Sequence, residues 1–157
     1  MENYQDWQTS LKKNFFSAIN IIEASKKHLI KSKGNIICIS SICGSEYIEG
    51  APITYSVAKS ALNSYVKMSS KILGKKNVRI NAISPGNIFF KGSDWEKKLK
   101  KNKKIIMKNI NSNVALKKFG NPKSIADICL FLASEKSNFT TGSVWIADGG
   151  QVKQLNY

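Results

Sequence analysis

Asn35-Ile-Ile-Cys-Ile-Ser40 and Val78-Arg-Ile-Asn-Ala-Ile83 decide the fold. Both are short apolar runs rich in Ile and Val, the composition of parallel strands covered on both faces. Outward from them the period changes. From about Gln5 to Lys31, Trp7, Leu11, Phe15, Ala18, Ile19, Ile22 and Leu29 recur at helical spacing. Gly34 is expected to close that helix at the C′ position. A loop holding Gly44, Gly50 and Pro52 leads into a second helical stretch, about Thr54 to Leu73, which ends before Gly74. The second strand stops at Pro85-Gly86. Residues 87–115 read as a polar, Lys-rich insertion with short helical pieces. A helix over 122–133 starts with proline at an early position, where helices tolerate it. Ser143 to Ala147 is a last strand and Asp148-Gly149-Gly150 a turn. Strands alternating with helices predict an α/β fold, a parallel sheet with helices on both faces and right-handed crossovers. No internal repeat is present, and 157 residues suffice for one domain with a core.

Chemistry concentrates in Tyr55-Ser-Val-Ala-Lys59, with Ser40-Ser41 upstream and Pro85-Gly86 downstream. A Tyr and a Lys at i and i+4 project from one face of a helix, about one turn apart. A free phenol titrates near ~10 and is a poor proton shuttle at neutral pH. A fixed ammonium beside it is expected to favour the phenolate and lower that pKa, towards the range where acid–base catalysis is efficient. A serine hydroxyl at a neighbouring strand end could hold a substrate oxygen beside the phenol.

Four ordered blocks resemble the short-chain dehydrogenase/reductase family, including members of the 3-oxoacyl-[acyl-carrier-protein] reductase kind. Gly34 to Gly44 resembles the strand ending in the catalytic serine. Tyr55-Ser-Val-Ala-Lys59-Ser-Ala-Leu resembles the active-site helix, and Val78 to Ile88 the next strand and the turn under the nicotinamide. Lys118-Phe-Gly120-Asn-Pro122 through Asp148-Gly-Gly150 is similar to the C-terminal signature. The resemblance implies a Rossmann-type doubly wound sheet whose N-terminal strands are missing here. It implies an NAD- or NADP-dependent oxidoreductase, moving hydride between nicotinamide and a carbonyl or secondary alcohol. Tyr55 is then the acid–base, and Lys59 both lowers its pKa and hydrogen-bonds the nicotinamide ribose. Ser41 matches the catalytic serine because it precedes Ile-Cys-Gly44, with Ser40 the competing choice. Asn14 matches the asparagine that completes the tetrad through a water-linked relay. Pro85, Gly86 and Ile88 match the turn whose backbone contacts the carboxamide. Phe90 stands where the family often places Thr, which removes one hydroxyl contact to the cofactor.

The Gly-rich dinucleotide turn and the residue that reads the ribose 2′ position have no counterpart in the sequence. At ~30 residues per βα unit, about 90 residues are expected before Met1. Without them the adenosine half of the cofactor has no site, and the strand at Ile36–Ile39 lies at an open, apolar sheet edge. A truncated, non-catalytic remnant or an oligomerisation partner is therefore the second reading. The resemblance also implies a homo-oligomer, a dimer or a tetramer. A 3-oxoacyl thioester, a sugar and a small alcohol all remain open as substrate.

The net charge of +15 invites a third reading, a basic nucleic-acid-binding protein. Of the 25 basic residues only Arg79 is Arg, whereas base and phosphate readers rely on its bidentate fork. The densest run, Glu96 to Lys104, reads as a solvated helix face. No nucleic-acid partner is expected. No apolar run approaches ~18 residues, so no membrane span is expected, and the polar start lacks a signal-peptide core. Cys38, Cys43 and Cys129 have no metal-ligand spacing and cannot all pair, and read as small buried residues in the reducing cytoplasm. His28 has no partner at ligand spacing and reads as solvated. Trp95, Phe89 and Phe90 fit either a substrate pocket or core packing.

Overall fold

The computed structural model describes residues 2–153. Three parallel strands, β1 (Asn35–Ile39), β2 (Arg79–Pro85) and β3 (Val144–Ala147), pair in the order β1-β2-β3. The register sets Asn35 against Arg79 and Ile39 against Ile83, then Ala82 against Val144 and Pro85 against Ala147. The central strand β2 is buried through Ile80–Ser84, as a strand covered on both faces should be. α3 (Ile53–Leu73) packs on one face of it and α5 (Pro122–Ala133) on the other.

Pleating sorts the β2 side chains between these layers. Ile80 and Ala82 join Cys38, Leu62, Val66 and Ile22 in a core shared by α3 and the N-terminal helices. Arg79 and Asn81 face the other way. The Arg79 guanidinium donates to the carbonyls of Leu132, Ser134 and Thr140 and to the Ser137 hydroxyl, at 3.0–3.4 Å. The single arginine is thus a bolt between β2 and the end of α5, where a planar fork serves and an ammonium would not.

The N-terminal helical stretch is α1 (Tyr4–Leu11) and α2 (Ser17–Ser32), joined by a wider π turn at Lys12–Phe16. There the Ser17 N–H reaches back to Lys12. Periodicity does not foretell this turn, because one inserted residue shifts the apolar stripe only slightly. The expected C′ glycine is displaced by one position. Lys33 takes the left-handed conformation (φ 51°), and the Gly34 N–H closes on Leu29 O at 2.9 Å. Gly34 is therefore the next residue of a Schellman closure.

In the 87–115 segment, α4 (Asp94–Asn113) is one long helix with a break at Asn102 (φ −156°, ψ 72°). Asn102 turns its side chain to the Ile105 N–H, acting as an internal N-cap that separates two helical pieces. Lys97, Lys98, Lys100, Lys101, Lys103 and Lys104 are all exposed, so the charge run is a solvated face. His28 is exposed as well. Only Cys38 is buried; Cys43 and Cys129 are half-buried, because their segments lie at the rim of the sheet and on the outer layer. No described helix is long and apolar enough to cross a membrane.

Candidate active site

The C-terminal ends of β1 and β2 carry the site. Past Ile39 the chain continues into Ser40, whose hydroxyl lies 3.4 Å from the Lys59 carbonyl, and Ser41, which caps a single turn at Ile42–Gly44. The Ser41 hydroxyl accepts from the Cys43 N–H at 3.2 Å and stands near the Tyr55 phenol, whose proton affinity it lowers. Of the two serines, Ser41 stands with Tyr55, while Ser40 supports the backbone of α3.

Gly44 makes this approach possible. A Cβ there would lie 2.6 Å from the Lys59 carbonyl carbon and 2.9 Å from the Ser60 nitrogen. At the other end of the segment, α3 starts at a proline that offers no side-chain cap. The Glu2 carboxylate caps it instead, accepting from the Thr54 N–H at 3.1 Å and from its hydroxyl at 2.9 Å. A carboxylate at a helix N-terminus is favourable for the dipole. No local signal links Glu2 to Thr54, because the two are far apart in the chain.

Tyr55 and Lys59 share a face, as their spacing predicts: the Lys59 Nζ sits 5.7 Å from the centre of the Tyr55 ring. Nζ donates to the Ile39 carbonyl at 2.9 Å. Lys59 and Asn14 line one cleft of about 230 Å³ beside the open edge of β1. Asn14 lies in the π turn, and its amide donates to the Ser10 carbonyl and hydroxyl at 3.1 and 3.3 Å.

The electrostatics reverse one expectation. Burial raises the Tyr55 phenol above its ordinary value; the Ser41 hydroxyl works against the rise, and the nearby Cys43 thiol adds to it. Burial also lowers Lys59. Burial outweighs the other influences on both groups, and Lys59 is not among the neighbours that lower the Tyr55 phenol in the cofactor-free chain. Cys43 beside Tyr55 is a neighbour the sequence does not reveal.

The Pro85-Gly86 turn closes the site from β2. The Gly86 N–H donates to Ala147 O at 3.0 Å, and a Cβ on Gly86 would lie 2.8 Å from the Asp148 Cα. Ile88 bridges to Gly120. Phe89 and Trp95 both pack on Phe119, with ring centres 6.0 and 5.2 Å apart, which favours the packing reading for these two. Phe90 is half exposed.

A parallel α/β sheet with Ser, Tyr and Lys gathered at its C-terminal rim defines a class of oxidoreductase fold. The chain belongs to the short-chain dehydrogenase/reductase family: the family model described as enoyl-(acyl carrier protein) reductase matches residues 2–151. Among its relatives, a 3-oxoacyl-[acyl-carrier-protein] reductase from Chlamydia trachomatis is 37% identical over 149 residues, covering 93% of this chain and 56% of the relative. Isoepoxydon dehydrogenase from Penicillium expansum is 33% identical over 147 residues, with the same coverage of both chains. The L-sorbose reductase of Gluconobacter frateurii, solved with NADPH and L-sorbose, superposes with a TM-score of 0.90 at 27% identity, covering 98% of this chain and 61% of that one. The chain spans just over half the length of the relatives it matches.

Proposed function

We propose that the protein is an NAD(P)-dependent oxidoreductase acting on a carbonyl or a secondary alcohol. The observation that carries this is Lys59, one turn along α3 from Tyr55 with its Nζ 5.7 Å from the ring centre and fixed to the Ile39 carbonyl at 2.9 Å, with Ser41 near the phenol. The cradle at Gly86 and the Lys59–Asn14 cleft fit the nicotinamide-ribose half of a dinucleotide. No described segment offers a Gly-rich turn for the pyrophosphate, which the first part of the longer relatives is expected to supply. A bound nicotinamide supplies or accepts the hydride. Tyr55 gives its phenolic proton to the carbonyl oxygen in reduction and takes the hydroxyl proton in oxidation. Ser41 holds that oxygen beside the phenol. Lys59 holds the nucleotide's ribose, and Asn14 sits where a proton can pass from Lys59 towards solvent. The turn at Pro85, Gly86 and Ile88 would hold the carboxamide side of a bound nicotinamide. Exposed Ile53, Val57, Met68 and Ile72 on α3 support a homo-oligomer built through that helix.

The test joins these residues to a Gly-rich N-terminal half and follows NAD(P)H absorbance. Tyr55→Phe keeps the ring and removes the proton, so turnover should fall at least ~10²-fold, with cofactor binding little changed. Near-normal turnover in this variant would end the assignment.

A further inference from the structure

The positive charge is not spread evenly along the chain. Residues 87–118 hold ten lysines and two carboxylates, a net +8 of the total +15 in about a fifth of the length. Both carboxylates are already matched: Asp94 pairs with Lys97 at 3.2 Å and Glu96 with Lys100 at 3.3 Å. Lys98 lies over the Trp95 ring, 4.7 Å from its centre. Lys101, Lys103, Lys104 and Lys108 are exposed and form no ion pair among the described residues. Lys100, Lys104 and Lys108 follow one another at i,i+4, where like charges destabilise a helix. An apposed anionic surface would remove that cost.

The second piece of α4, beyond the break at Asn102, gathers these charges on one side. Ile110 is fully buried and Ile106 half-buried, which fixes the inward face. At about 100° per residue, Lys104, Ile105, Lys108 and Ser112 then lie on the outward face. Lys103, Lys104 and Lys108 border a shallow groove together with Met107. Ile105 stands among them at 62% exposure. A partner for this face must offer diffuse negative charge and accept an aliphatic side chain. Nucleic acids are held through arginine forks and stacked aromatics, and Arg79 is sequestered between β2 and the end of α5. Protein partners are anchored by Trp, Tyr or Arg, none of which this outward face presents. An anionic bilayer needs neither: its field attracts an ammonium wherever it stands, and the headgroup boundary takes up an isolated aliphatic side chain. Clusters of about four to eight lysines on one helix are of the size that holds a protein there.

We propose that the outward face of α4 docks the protein on an anionic lipid bilayer, as a peripheral contact without a span. The experiment floats residues 1–157 with vesicles through a density gradient at about 0.15 M salt, where the Debye length is about 8 Å and only lysines at the contact count. Vesicles of equal parts phosphatidylglycerol and phosphatidylcholine should carry the chain upward, and phosphatidylcholine alone should not. Self-associated chain without lipid stays at the bottom. Replacing Lys101, Lys103, Lys104 and Lys108 together by Gln should weaken partition at least ~10-fold, since each lysine at a charged bilayer contributes roughly five-fold. Replacing Lys27, Lys31, Lys71 and Lys75 by Gln removes the same charge elsewhere and should cost less than ~3-fold. All eight lysines are exposed, and Gln matches Lys in helix propensity, so both variants keep the fold. Equal weakening by the two variants, flotation with neutral vesicles, or none with anionic ones would overturn the proposal. So would a DNA duplex that the same four lysines hold more tightly than they hold lipid. None of the substituted lysines belongs to the Ser41, Tyr55 and Lys59 site, so failure here leaves the oxidoreductase reading standing, and the loss of that reading leaves the docking face.

Discussion

Tyr55 and Lys59 stand one helical turn apart, yet burial moves their proton affinities in opposite directions. In the cofactor-free chain, a spectrophotometric titration differenced against Tyr55→Phe should show a phenol ionising above the ordinary tyrosine range. Ionisation below that range would show that Lys59 remains charged and dominant. Cys38 offers a second test. Burial pushes its thiol up to about 11, while an unfolded thiol releases its proton near ~8.5. Between those values the unfolded chain binds fewer protons than the folded one, so stability falls as pH rises. The contribution is complete below about 8.5, and roughly 1–2 kcal/mol of it is lost by pH 10. Urea unfolding at pH 8 and pH 10 should show a larger loss for the natural chain than for Cys38→Ala. Equal losses would mean that the thiol ionises freely in the fold. At this scale the placing of Tyr55 and Lys59 on one helix face was legible from their spacing, whereas the choice between Ser40 and Ser41 was not. The direction of the pKa shifts was not, because it depends on how deeply α3 is packed.

The elements were legible where one residue type carries the signal. Pro122 opens α5 where proline belongs, and the Ile-rich runs became β1 and β2. The joints between elements were not, since each rests on a distant partner: Glu2 on Thr54, Arg79 on the end of α5, Asp148 on Gly86. Gly44 is the joint most exposed to test. With α3 backbone 2.6 Å from its missing Cβ, Gly44→Ala must push the Ile42–Gly44 turn off the helix. Overpacking of this kind costs about 1–3 kcal/mol. The variant should melt earlier and, in the joined enzyme, lose turnover as Ser41 moves away from Tyr55. Unchanged melting and turnover would show that the turn can shift without consequence.

At the scale of the molecule, β1 pairs with β2 on one side only among the described residues, and Ile39 at that edge is 47% exposed. Ile21 and Phe16 on the neighbouring helix face are also exposed, at 69% and 49%. Apolar sheet edges of this kind pair with other chains. Sedimentation of residues 1–157 alone should therefore show concentration-dependent association, despite the large positive charge. A single monomeric species with a cooperative melt would count against an open edge. The sequence by itself determined the alternation of strand and helix, the rim on which the chemistry gathers, and the tyrosine–lysine spacing, because each depends on periodicity or on neighbours within one turn. Only the tertiary structure decided which serine stands near Tyr55 and that burial, not Lys59, governs its pKa. Those outcomes depend on burial and on contacts between residues far apart in the chain, and no local pattern encodes either.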